Sequence, residues 1–183
     1  MPSGRPPVVV FETHATSLDN EAGLASGWFD VGLSPRGEQQ ARELGERRRH
    51  DDFAAVYCSD LTRAVRTAEL AFGERGIPIV RDERLRECDY GALTRHPATD
   101  IEERRASHIA LPFPGGESYQ QCVARVSAWL ADASAAHTGD LLVIGHRATF
   151  YALEHLLCGL PLEQVIDAPW SWQPGWIYSE EKR

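Results

Sequence analysis

Long apolar runs are absent from this sequence. No window approaches the roughly 20 apolar residues that a membrane-spanning helix needs. The N-terminal stretch from Met1 to Pro7 carries no apolar signal core before the first strand-like run. An excess of positive charge is also missing: the formal net charge is −8 at pH 7, which argues against nucleic acid or an anionic membrane surface as a partner. A small anionic substrate stays compatible with that balance, because a local basic pocket can sit on an acidic protein. Cysteine is sparse. Cys58, Cys88, Cys122 and Cys158 show no CxxC spacing, so free buried thiols are expected in place of a disulfide framework or a zinc site, and a cytoplasmic, reducing compartment fits. The seven histidines form no HxH or HExxH pattern, and neither GxGxxG nor the GxxxxGKS/T phosphate loop occurs. No metal and no cofactor are therefore expected. Repeats, low-complexity tracts and linkers are lacking too, and 183 residues suit one domain, spanning 1–183, with a core of its own.

What the chain does have is short apolar runs alternating with helical patterns. Strand-like runs fall at 8–12, 54–59, 77–81 and 141–145, with weaker ones at 170–172 and 175–178. Between them, Ser34-Pro35 reads as a cap followed by proline at the first helical position, and the polar run 46–52 ends that helix. Ser59-Asp60 reads as the cap of a helix that stops at Gly73. A longer helix is predicted over about 118–136 from Cys122, Val123, Val126, Trp129 and Leu130 at helical spacing, and the apolar segment 149–157 packs in the interior. This alternation predicts an α/β fold, a three-layer α/β/α sandwich with a mostly parallel central sheet. The irregular stretch 90–116 is read as a lid or pocket wall, together with Trp28 and the 170–176 region. The aromatic C-terminal segment marks either the face of a homodimer or a cap on the core.

Two histidines stand in matching contexts. Val8-Val9-Val10-Phe11 leads to Glu12-Thr13-His14, and Leu141-Leu142-Val143-Ile144 leads to Gly145-His146. In open α/β sheets ligands collect beyond the carboxyl ends of strands, so two imidazoles there would face one pocket, an arrangement suited to phosphoryl transfer. Small hydroxyl residues follow the first histidine (Thr16, Ser17), with Asn20 close behind. Arg63 falls in the first turn of a predicted helix, where a bound anion would offset its unfavourable charge. Glu87 lies in the loop Leu85-Arg86-Glu87-Cys88-Asp89-Tyr90-Gly91 and would protonate a leaving oxygen, with Asp89 as its competitor. Arg147 follows the second histidine directly.

Taken together these motifs resemble the histidine phosphatase superfamily, also called the phosphoglycerate mutase-like family, over nearly the whole chain. Trp28-Phe29-Asp30 with Leu33-Ser34-Pro35-Arg36-Gly37 is similar to its first helix entry. Ser59-Asp60-Leu61-Thr62-Arg63-Ala64 with Thr67-Ala68 is similar to its second-arginine motif, residues 84–91 to its acid loop, Pro114-Gly115-Gly116-Glu117-Ser118 to its late helix entry, and Leu142-Val143-Ile144-Gly145-His146 to its second-histidine strand. The resemblance implies a phosphoglycerate mutase-like fold. It implies a metal-independent phosphatase acting on a small phosphorylated substrate through a phosphohistidine on His14. Arg63 and His146 would hold the phosphoryl oxygens with Asn20 assisting, and Glu87 would be the acid and then the base. The sequence departs from the family at two places: Thr13-His14-Ala15 stands where Arg-His-Gly is usual, and Arg147 stands where a glycine usually follows the second histidine. Arg147 is accordingly read as a replacement charge, with the hydroxyls of Thr13, Thr16 and Ser17, or Arg86 and Arg95, as alternatives. Two other functional readings are kept: a catalytically impaired phosphate-ligand binding or regulatory protein of the same fold, and a phosphoglycerate mutase-type phosphotransferase. The mutase reading is weaker because the passage from Gly91 to Ser118 is short.

Overall fold

The computed structural model describes residues 7–179; the stretch from Met1 read above lies almost wholly outside the described residues. Five strands, β1 (Val9–Thr13), β2 (Ala55–Cys58), β3 (Ile79–Arg81), β4 (Leu141–Gly145) and β5 (Trp176–Tyr178), form one sheet in the order β3-β2-β4-β1-β5. The first four pair in parallel, and β5 adds antiparallel to the β1 edge. The mostly parallel α/β architecture expected from the alternation is therefore present. The 170–172 run is not a strand: it lies in irregular backbone, where Trp170 stacks on Trp176.

The helices are α1 (Leu18–Glu21), α2 (Pro35–Arg47), α3 (Thr62–Phe72), α4 (Ala98–Arg104), α5 (Tyr119–Ala136), α6 (Arg147–Cys158) and α7 (Leu162–Asp167). Strand side chains alternate between faces. Val10, Val56, Cys58, Leu142 and Ile144 pack against Leu44 of α2 and Ala64, Ala68 and Phe72 of α3. Val9, Phe11, Tyr57, Leu141 and Val143 pack against Val126 and Trp129 of α5 and Ala152 and Leu153 of α6. Trp129 is wholly buried, edge-on to Tyr57 at 5.3 Å; truncating such an aromatic costs about 3–5 kcal/mol.

Helix boundaries follow local chemistry. Ser34 Oγ accepts from Gly37 N, with Pro35 at the first position of α2. Ser118 and Gln121 form a reciprocal capping box at the start of α5. Gly37 is required sterically, since a Cβ there would collide with the carbonyl oxygen of Thr16. That contact presses α2 against the loop that follows β1. Glu12 of β1, 2% exposed, is neutralised by Arg47 Nη2 at 3.0 Å and Arg48 Nη2 at 2.8 Å. Among the described residues no helix is long and apolar enough to cross a membrane, and no cysteine is in a disulfide. Cys58, Cys88 and Cys122 are buried as expected, but Cys158 is exposed, because it ends α6 just before the Gly159 turn.

Candidate active site

The sheet register brings the two histidines together. Thr13 pairs with Gly145, so the residues that follow leave the carboxyl edge side by side. His14 N donates to Gly145 O at 3.0 Å, and the imidazole centroids of His14 and His146 lie 4.9 Å apart. His14 Nδ1 is 2.7 Å from Ala15 O. A carbonyl only accepts, so Nδ1 carries the proton and Nε2 keeps its lone pair. Burial, reinforced by the Arg63 charge, lowers the His14 pKa from 6.5 to about 3. The ring is therefore neutral near pH 7.

His146 is 2% exposed. Burial, then Arg63 and His14, hold its pKa well below the ordinary value. Its Nε2 lies 2.7 Å from Ser59 Oγ, while Nδ1 is buried with no protein partner. Ser59 follows β2, whose Cys58 is level with Ile144 of β4. It does not act as the helix cap expected of it, because the cap position falls two residues later, at Leu61. The cap comes instead from Asp30, whose carboxylate accepts from Thr62 N and Thr62 Oγ1, both at 2.7 Å. Arg63 reciprocates: its guanidinium donates to Gly27 O at 2.8 Å and Phe29 O at 3.1 Å. Loop and helix thus clasp each other around a buried cation. Burial pulls the Arg63 pKa below its ordinary value, and Glu87 opposes the shift. Thr67, one turn further along α3, accepts from Ala15 N at 3.0 Å and so fixes the segment after His14.

Glu87 sits on the N-terminus of α6. Its Oε1 accepts from Cys88 N at 2.9 Å and Ala148 N at 3.0 Å, and its Oε2 from Arg147 N at 3.1 Å. A helix start favours an acidic group in this way. The acid loop is held from behind by Arg125 of α5, which donates to Arg84 O, Arg86 O and Glu87 O at 2.7, 2.8 and 2.9 Å. Burial opposes the Arg125 charge, but Glu117 more than offsets it and the pKa is raised. Cys88, Glu117 and Cys122 are close enough to bind a metal ion. Arg125 makes that group a poor fit, because its guanidinium already bonds Glu117 and lies 3.4 Å from Cys122 Sγ.

A cleft with two lobes opens around these groups, and His14, Asn20, Glu87 and Arg147 line both. The narrow lobe, about 170 Å³, also contains Arg63, Tyr90, Tyr119 and Tyr151. The wide lobe, about 690 Å³, contains Thr13, Thr16, Arg36, Arg47, Trp170 and Trp172. Ala98, Ile101 and Arg105 bring the 90–116 region into the narrow lobe. His146, although beside His14, lines neither lobe, and three other expected residues lie elsewhere. Ser17 is wholly buried and caps α1, accepting from Asn20 N while Asn20 Oδ1 accepts from Ser17 N. Asp89 is turned to Gly91 N. Trp28 lines neither lobe; its Nε1 donates to Glu87 O at 2.7 Å. Of the rival cations, Arg86 is paired with Asp60 and Arg95 with buried Asp19. The Arg147 guanidinium stacks 4.0 Å above Trp170 and faces Glu102 at 3.7 Å. Ser59, Thr67 and Arg125 were missed from sequence. Ser59 and Thr67 were visible inside the motif around Arg63, whereas Arg125 carried no local signal.

Comparison with known proteins identifies the family. The family model described as histidine phosphatase superfamily (branch 1) matches residues 10–173. The chain belongs to the histidine phosphatase superfamily. A Hydrogenobacter thermophilus relative named "Putative phosphoserine phosphatase 2" is 31% identical over 160 residues, covering 83% of this chain and 79% of the relative. A Salmonella choleraesuis relative named "Probable phosphoglycerate mutase GpmB" is 34% identical over 157 residues, covering 81% and 73%. Among solved structures, Bacillus stearothermophilus YhfR superposes with a TM-score of 0.81 at 26% identity, over 93% of this chain and 90% of that one. The superfamily thus brings both phosphatase and mutase names to this fold.

Proposed function

We propose that the chain is a metal-independent phosphatase that hydrolyses a small phosphate monoester through a phosphohistidine at His14. The observation that carries this reading is the His14 tautomer: with Nδ1 bonded to Ala15 O at 2.7 Å, a neutral imidazole presents an unprotonated Nε2 in a cleft that also holds Arg63 and Glu87. Nε2 attacks phosphorus, the bond from phosphorus to the ester oxygen breaks, and the protonated form of Glu87 gives its proton to the departing alcohol. Oε2, with one backbone donor against two on Oε1, is the oxygen that carries it. Water then attacks phosphorus, Glu87 takes back a proton, and the phosphorus–nitrogen bond breaks to release phosphate. Splitting one displacement into two is the advantage of a covalent intermediate.

The remaining groups hold charge in place. Arg63 offers a fork to the phosphoryl oxygens. Ser59 Oγ lies 2.7 Å from His146 Nε2; with the Ser59 hydroxyl as donor in that bond, the unpartnered Nδ1 carries the N–H that meets a phosphoryl oxygen. Asn20, Thr13 and Thr16 supply further polar contacts, and Arg147 is the cation that replaces the arginine missing before His14. A brief incubation with an aryl phosphate followed by rapid quench tests the reading. It should trap an acid-labile, base-stable phosphoryl adduct that His14→Ala loses together with turnover. Full turnover in that variant would remove the nucleophile assignment. Transfer of the trapped group to a second alcohol in preference to water would favour the mutase reading.

A further inference from the structure

Three arginines and three glutamates line the wide lobe, and the arginines differ in how far they are already committed to partners. The lobe's volume of about 690 Å³ falls in the range of pockets that enclose whole small molecules. Three acidic residues line it, and each already has a partner. Glu12 is bound by Arg47 and Arg48, Glu87 by backbone N–H groups, and Glu43 by the amide of Gln39. Of its three arginines, Arg47 bonds Glu12 through Nη2, and Arg147 is held by Trp170 and Glu102. Arg36 has no such partner among the described residues. It is exposed and stands in the first turn of α2, where the helix dipole disfavours a cation. An anion bound there relieves that cost and meets a guanidinium free to use its fork. Trp170 and Trp172, the latter 59% exposed, provide an apolar flank along the same lobe.

We infer that the wide lobe receives a second anionic group of the substrate, with Arg36 as its chief partner and Arg47 beside it. This chain then prefers phosphate esters whose leaving group bears its own negative charge. The inference builds on the phosphatase reading, but binding tests it without turnover. The probes are phenylphosphonate and the meta and para carboxyphenylphosphonates, titrated calorimetrically at low salt. The better carboxylated isomer should bind on the order of tenfold tighter than phenylphosphonate. Arg36→Ala should abolish most of that preference and Arg36→Lys should keep part of it. Arg36 makes no contact that the fold needs, and thermal unfolding of each variant checks this. Equal affinity for the charged and uncharged phosphonates, or a preference that survives Arg36→Ala, overturns the inference. The matching esters separate the two readings. A protein that prefers the carboxylated phosphonate but hydrolyses neither ester keeps the subsite and loses the phosphatase. One that hydrolyses both esters with equal kcat/KM and binds the phosphonates equally keeps the phosphatase and loses the subsite.

Discussion

Replacing Ser59 with alanine deletes one oxygen and leaves the rest of the side-chain volume in place. That oxygen lies 2.7 Å from His146 Nε2, and the two residues are 0% and 2% exposed, so the pair is closed to bulk solvent. Because Nδ1 has no protein partner either, the variant buries an imidazole with both nitrogens unsatisfied. Stranding a buried polar group costs about 1–3 kcal/mol. In a domain of this size each kcal/mol lowers Tm by about 2–4 °C, so the fall should lie at about 2–12 °C. The effect on catalysis has a separate origin. Without Ser59 the His146 proton is free to move to Nε2, and the Nδ1 donor is then lost in part of the population. Complete loss of one preorganised donor costs about 100-fold to 1000-fold in rate, and a partial loss should fall below that. Denaturant unfolding, kcat/KM for an aryl phosphate and the imidazole nitrogen NMR signals measure the three consequences. Ser59→Thr, which restores a hydroxyl, should recover the tautomer. A Ser59→Ala protein within about 0.5 kcal/mol of the unaltered one, with the His146 tautomer unmoved, would refute the reasoning.

Glu87→Gln should cripple hydrolysis of alkyl phosphates and spare aryl phosphates with good leaving groups, since only the former need a proton; a pattern of that kind in Asp89→Asn instead would reverse the two roles. Stability should fall as pH drops below about 6.5, because the unfolded chain takes up a proton at His14 that the folded chain refuses until about 3. Stability therefore rises with pH across that window, by at most about 1.4 kcal/mol per pH unit from this residue, and His146 acts in the same direction. Urea unfolding at several pH values should show a shallower slope in His14→Gln, and an unchanged slope counts against the burial of a neutral ring. Arg147→Ala should lose about 2–4 kcal/mol of transition-state stabilisation, with Thr13→Arg combined with Arg147→Gly recovering part of it. Kinetics of both variants with one substrate decide this, and an Arg147→Ala enzyme of full kcat/KM would exclude the replacement charge.

The parts of the molecule legible in the sequence are those fixed by neighbours along the chain. Residues 141–145 form a strand because four consecutive apolar side chains bury both faces of a parallel sheet. Ser34-Pro35 starts a helix because cap and proline act within one turn. The two histidines could be matched because each closes such a strand. What escaped reading depends on distant partners. Ser59 looked like a cap, but Asp30, far upstream, supplies it and frees the serine for His146. Arg125 reads as a polar position on an amphipathic helix, yet three carbonyls of the acid loop converge on it. Trp170 and Trp172 suggested a strand because aromatics favour any half-buried surface, and here that surface is the wall of a cleft.

The clasp between Asp30 and Arg63 bears on how this region comes apart. The loop caps α3 through Thr62, and α3 returns two bonds to the carbonyls of Gly27 and Phe29. If the loop lifts, the helix loses its first-turn cap and a buried cation loses its acceptors at the same moment. Neither segment has a favourable state without the other, so they behave as one cooperative unit in local unfolding. The amides of Phe29, Thr62 and Ala64 should exchange with solvent deuterium at matched free energies, although a long stretch of chain separates the first from the other two. The first turn of α3 and the 27–30 loop should then open all-or-none, with a barrier of their own.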